Sequence, residues 1–108
     1  MRVVINGTIG EIDTMPGCSQ IGISHAVFRP VIKRGKGQGG LAHKGRLTHM
    51  EDLGYDYALC TVDMSNEAQL HILKKYGWHQ IDEFISSKTG HTVGLFGRPL
   101  VSHTLPHT

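Results

Sequence analysis

The chain has 108 residues, 39% of them hydrophobic and 19% charged, which suits one small domain with a single core and excludes a chain that is disordered as a whole. The formal net charge of +2 permits an anionic ligand. Apart from Lys33, Arg34 and Lys36 the positive charges are scattered, which argues against a nucleic-acid-binding face.

In chain order, Arg2-Val3-Val4-Ile5 and Thr8-Ile9-Gly10-Glu11-Ile12 read as two strands joined through Asn6-Gly7, the dipeptide that best tolerates the positive φ of a hairpin turn. Met15-Pro16-Gly17 breaks the chain, and Ser19 to Phe28 reads as a third strand. Ile21, Ile23 and His25 share one face of that strand, and Gly22, Ser24 and Ala26 share the other. Beyond Pro30 comes Arg34-Gly35-Lys36-Gly37-Gln38-Gly39-Gly40, which offers backbone N–H groups with few side chains in the way and two positive charges. Leu41, Leu47, Met50 and Leu53 then predict a helix over 41–53, with His43, Lys44, Arg46 and His49 mostly outside its apolar stripe and Gly54 as its stop. A glycine-rich strand-to-helix turn of this kind is a place to hold an anion, usually a phosphate.

Tyr55 to Val62 predicts a buried strand. Ser65 is the expected N-cap of a second helix, Asn66 to Tyr76, with Ala68, Ile72, Leu73 and Tyr76 facing inward and Gly77 closing it. Trp78 to Ser86 and His91 to Phe96 form a final hairpin around Lys88-Thr89-Gly90. The expected division is a single domain over 1–97 and a polar tail over 98–108. Strand-strand-strand, helix, strand, helix, strand-strand describes a mixed α/β sheet.

Cys18 and Cys60 stand far apart in no metal-ligand spacing, so reduced thiols are expected. No apolar run approaches membrane-spanning length and the N-terminus lacks a signal-peptide pattern, so the expected setting is cytoplasmic, without a membrane. The eight histidines show none of the short helical pairs that bind zinc, and no metal is expected. Gly35-x-Gly37-x-x-Gly40 also spells a dinucleotide fingerprint, with Asp56 as the acidic residue. Three strands precede it, however, and no second mononucleotide half fits the remaining length. A Walker A loop fails because no Gly-Lys-Ser/Thr follows.

Arg34-x-x-Gly37-x-Gly39, followed by Leu53-Gly54-Tyr55, the strand Leu59-Cys60-Thr61-Val62-Asp63, then Asn66 and a helix ending Lys74-Lys75-Tyr76-Gly77-Trp78, resembles the GNAT superfamily of N-acetyltransferases from about Gln20 to Phe96. The resemblance implies a mostly antiparallel mixed sheet with two main helices, beginning near what would be the family's second strand. It implies acetyl-CoA as co-substrate, its pyrophosphate on the amides of Arg34, Gly35, Lys36, Gly37, Gln38, Gly39 and Gly40 and its arm beside Val27, Phe28 and Arg29. An amide in that last segment would polarise the thioester carbonyl, and Asn66 would hydrogen-bond the arm. An amine would attack directly in a ternary complex, without a covalent acetyl-enzyme.

Three departures bear on the chemistry. The position of the family's helical tyrosine, which protonates the departing thiolate, counts to Leu73 here, leaving Tyr76 or His71 to substitute. Where the family often has a glutamate base, this strand offers Ser24 and His25, of which His25 has the right pKa range for the work. Pro30 to Arg34 is one residue longer than usual, which shifts the alignment of the thioester-binding amides by about one position. Tyr76 and His25 are therefore the candidate catalytic residues, and Cys60 is not proposed as a nucleophile. The expected acceptor is an amine, with a protein amine as one candidate, and a homodimer would cover the sheet edges. The alternative is a catalytically silent acetyl-CoA-binding or protein-interaction module of the same fold.

Overall fold

The computed structural model describes residues 2–5, 8–28 and 38–101. Six strands, β1 (Arg2–Ile5), β2 (Thr8–Met15), β3 (Cys18–Phe28), β4 (Tyr57–Asp63), β5 (His79–Ile85) and β6 (Thr92–Pro99), form one sheet in the order β1-β2-β3-β4-β6-β5. Helix α1 (Gln38–Asp52) connects β3 to β4, and α2 (Glu67–Lys75) connects β4 to β5. Every neighbouring pair is antiparallel except β3 and β4, as the crossover through α1 requires. The mixed, mostly antiparallel sheet with two helices is the architecture expected from the sequence.

Both helices stop where glycines allow it. Gly54 and Gly77 have φ of 89° and 83°. At α1 the Tyr55 N–H bonds the Met50 carbonyl and the Gly54 N–H that of Glu51; at α2, Trp78 and Gly77 repeat the pattern onto Leu73 and Lys74. These are paired Schellman bonds, which cap carbonyls the helix cannot satisfy itself. At the start of α2 the cap is Asn66 rather than the expected Ser65. The Asn66 Oδ1 accepts the Gln69 N–H at 3.1 Å, whereas the Ser65 hydroxyl is drawn away to Asp63.

One sheet face is covered by the helices. Ile12, Ser24, Gly22, Ala58, Cys60, Val62 and Phe96 lie buried there against Leu47 and Met50 of α1, Leu73 of α2 and Trp78. The inward face of α1 is not the expected one. His43 and Arg46 are buried while Leu53 is 48% exposed. Positions spaced strictly by three drift by about 60° per step around a 3.6-residue helix, so Leu53 rotates off the face that Ala42, His43, Arg46, Leu47 and Met50 present. On α2, Ala68 is exposed and Leu70 packs against the core in its place.

The strand β6 runs to Pro99, beyond the expected start of the tail. Arg98 donates from Nε to the Tyr76 carbonyl, and the N–H groups of Leu100 and Val101 bond Asp56 and Glu51. The expected turn at Asn6-Gly7 and the tail residues 102–108 lie outside the described residues.

Candidate functional site

The parallel pair is where the sheet opens. Strands β3 and β4 are in register at Ile21↔Tyr57, Gly22↔Ala58 and Ile23↔Leu59, and among the described residues they pair no further. Residues 24–28 stay bonded to β2 on their other side, and 60–63 stay bonded to β6. The two strands therefore diverge as a wedge whose inner backbone edges lack ladder partners, which suits an extended, amide-bearing ligand.

On the face away from the helices, the apex of the wedge holds a cleft of about 190 Å³ lined by Ile23, His25, Leu59, Cys60, Thr61 and Leu95. His25 pairs through Nε2 with the Glu11 carboxylate at 3.2 Å, and Arg2 approaches the same carboxylate at 3.7 Å. The strand register explains the first pair, since Glu11 and His25 are direct cross-strand neighbours. Glu11 was not expected from the sequence. Its only signal was its parity on a strand whose pairing offset the sequence does not state.

A β-bulge marks the next step along β3. The register moves from Gly10↔Ala26 to Ile9↔Phe28, leaving Val27 as the extra residue. Val27 and Phe28 thus stand in the unpaired arm of the wedge. Gln38, Gly39 and Gly40 form the first turn of α1, whose leading N–H groups have no intrahelical partner. Arg29, Arg34, Gly35, Lys36 and Gly37 lie outside the described residues. Asn66 is exposed at the start of α2, beyond the end of β4.

The other candidate catalytic residue sits elsewhere. Tyr76 lies on the helix-covered side, its ring 5.4 Å from that of His43 and under the Lys75 ammonium at 5.6 Å. It lines neither of the clefts described here. His71 is exposed on α2, and Ser24 is buried and accepts from Arg46 Nε at 3.2 Å. Leu73, at the position counted for the tyrosine, is 1% exposed in the core. Leu73→Tyr is accordingly expected to lower stability by about 1–3 kcal/mol through overpacking, with no gain in group-transfer activity; thermal unfolding alongside an activity assay checks both.

Cys60 borders the cleft through its backbone while its side chain lies on the helix-covered face, where burial pushes its thiol up to about 12, against a smaller opposing effect of Arg46. It is inert as a nucleophile at neutral pH. His43 is held low, at about 4, by burial and then by the positive charges of Arg46 and Arg98. Being neutral, it accepts the Trp78 indole N–H on Nε2 at 2.7 Å, while its buried Nδ1 has no partner among the described residues.

A second cleft, of about 400 Å³, opens at the end of β4 between Asp63, Met64, Ser65, His91 and Thr92. The Ser65 hydroxyl and N–H both donate to Asp63 Oδ1, and His91 Nδ1 lies 2.7 Å from Oδ2. The Ser65 bonds, then His91, hold the Asp63 carboxyl down at about 2, so it is a fixed anion.

No protein-family model matches the sequence, and no curated protein matches it. Solved structures do match the fold. A GNAT-family acetyltransferase from Streptococcus pneumoniae superposes with a TM-score of 0.73 at 20% identity, over 90% of this chain and 63% of that one. A Salmonella typhimurium protein, yncA, solved with its cofactor acetyl-CoA, gives 0.75 at 14% identity over 94% and 62%. The ribosomal-protein-S18-alanine N-acetyltransferase of Escherichia coli gives 0.70 at 11% identity over 93% and 66%. The chain thus spans a little under two thirds of the length of each of these proteins. With its splayed parallel pair, crossover helix and terminal hairpin, it has the GNAT acetyltransferase fold.

Proposed function

We propose that this protein transfers the acetyl group of acetyl-CoA to an amine. The observation that carries this reading is the wedge between β3 and β4, which has an acid–base residue at its apex and opens toward the start of α1. The residues present fit the co-substrate. The unpaired edges of residues 24–28 and 60–63 suit the amides of the pantetheine arm, with Val27, Phe28 and Arg29 beside it and Asn66 at its flank. Amides from Arg34 through Gly35, Lys36, Gly37, Gln38 and Gly39 to Gly40 suit its pyrophosphate.

His25, oriented by Glu11, takes the proton of the attacking amine on the open face of the sheet. The amine nitrogen bonds the carbonyl carbon, the carbon–sulfur bond breaks, and the thiolate leaves with a proton from Tyr76 or solvent. Tyr76 stands on the helix-covered side, so acid and base would work from opposite faces. Direct attack needs no nucleophile from the chain, in keeping with the inert thiol of Cys60. The burial of Leu73 favours a second reading, a silent module that binds acetyl-CoA without turning it over.

Release of CoA thiol, followed with a thiol reagent, separates the two. The expected result is release that depends on both protein and added primary amine. Acetyl-CoA binding with no amine-dependent release would assign the silent module instead.

A further inference from the structure

Strand β5 ends the sheet on one side, and among the described residues no strand pairs with its outer edge. All of its residues, His79 to Ile85, are exposed. Phe84 stands in register with Val93 on the face away from the helices, and Ile85 with Thr92 on the helix-covered face. Phe84 and the bulge residue Ile81 are half exposed, and Ile85 is 72% exposed. An edge strand with large apolar side chains on both faces and no proline is a template for a further strand.

Backbone parity restricts what can pair there. The Ser86 N–H donates to the His91 carbonyl and so points inward; alternation then turns Ile85 and Glu83 outward and Phe84 inward. The Glu83 N–H agrees, since it donates at 2.8 Å to Asp82 Oδ1 rather than to β6. A second copy of β5 laid antiparallel across a two-fold axis sets one residue opposite itself. Centring on Asp82 or Glu83 would put like charges directly opposite, which is destabilising. Centring on Ile85 would pair Glu83 with Ser87, which is already in the turn. Centring on Phe84 avoids both faults. Glu83 and Ile85 then exchange N–H and C=O bonds with Ile85 and Glu83 of the second copy. The two Phe84 rings meet in the pair type whose Cα atoms approach to about 4.5 Å. Asp82 releases the Glu83 N–H to that ladder and faces the Ser86 hydroxyl of the second copy. Lys88, two residues beyond Ser86, brings a cation toward the same carboxylate.

We propose that two copies of this chain join β5 to β5, antiparallel about a two-fold axis at Phe84, so that one sheet continues through both. An axis perpendicular to the sheet preserves its faces, so the clefts beside His25 open on the same side of the dimer. The contact is independent of the acetyltransferase reading.

Sedimentation equilibrium of the full chain should show a mass that rises with concentration from 11.9 kDa to twice that value and no further. Ile85→Pro removes an outward N–H without touching the ladder to β6, and Phe84→Arg sets two cations opposite each other. Each should hold the protein at the single-chain mass with its melting transition kept. Cross-linking reads the register. On a Cys18→Ser background, Phe84→Cys brings two thiols within disulfide reach across the axis, whereas Ile85→Cys, at a more exposed position, faces Glu83. Mild oxidation should link the first variant into dimers and leave the second as single chains. A single-chain mass for the wild type at every concentration overturns the proposal, as does a dimer that survives both folded variants or equal linking of the two cysteine variants. A mass that grows past twice the single chain also overturns it, because it marks an open-ended contact between β5 and the opposite edge, β1.

Discussion

His25→Gln is expected to lower kcat for amine acetylation by about 10²- to 10⁴-fold, the usual contribution of a positioned general base. Acetyl-CoA affinity should be retained, because the imidazole faces the open side of the sheet, across from Glu11, and not the start of α1. Glutamine keeps hydrogen-bonding capacity and removes the titratable nitrogen, so the loss would report proton transfer rather than packing. His25 is exposed, which makes a folding defect a poor alternative explanation. Glu11→Gln is a separate case. Glu11 acts through the imidazole, as a positioning residue, and its removal should lower kcat by less than the loss of His25 does, with acetyl-CoA affinity kept. A His25→Gln enzyme as fast as wild type would place the base elsewhere or leave the deprotonation to solvent.

The second large effect concerns stability. His43 is buried and its imidazole titrates at about 4 in the folded protein against 6.5 in a free side chain. Below pH 6.5 the unfolded chain therefore takes up a proton that the folded chain refuses. The sign follows: the contribution is complete above pH 6.5, falls as pH drops, and is spent near pH 4. The depth of that fall is on the order of 3 kcal/mol. Asp63 works in a separate window, because its carboxyl is held low: its stabilisation declines as pH drops below 3.8 and is gone once pH falls past about 2. Urea unfolding at intervals between pH 7 and pH 4 should show the decline, and His43→Leu should flatten it. That variant also strands the buried Trp78 indole N–H, at a cost of about 1–3 kcal/mol at neutral pH. Adding Trp78→Phe removes the stranded donor and should recover much of that cost. A His43→Leu protein with the wild-type acid slope would mean that another group carries it.

How far the fold was legible in the sequence follows from which signals are local. Gly54 and Gly77 announced the ends of both helices because only the backbone of the last turn is involved. Period-two alternation likewise placed His25 on one face of its strand and Ser24 on the other, and the structure keeps them there. The errors arose where tertiary contact overrides local pattern. His43 and Arg46 looked like surface residues of α1, but Trp78 and Ser24 supply them with buried partners from distant parts of the chain. Ser65 read as a cap by type, yet Asp63 two residues earlier captures its hydroxyl and leaves capping to Asn66. The Glu11–His25 and Asp63–His91 pairs were not legible at all. Each depends on a strand register that no single segment encodes.

Calorimetric titration with acetyl-CoA on wild type and on Gly37→Glu tests whether the glycine-rich segment before α1 holds the pyrophosphate. A carboxylate side chain at Gly37 would add bulk and negative charge where backbone amides are to meet phosphate oxygens. The expected result is saturable binding by the wild type that Gly37→Glu abolishes, with the melting transition of the variant intact. Equal binding by the two proteins would put the co-substrate elsewhere, and no binding by a folded wild type would leave this chain with the fold and without its cofactor site.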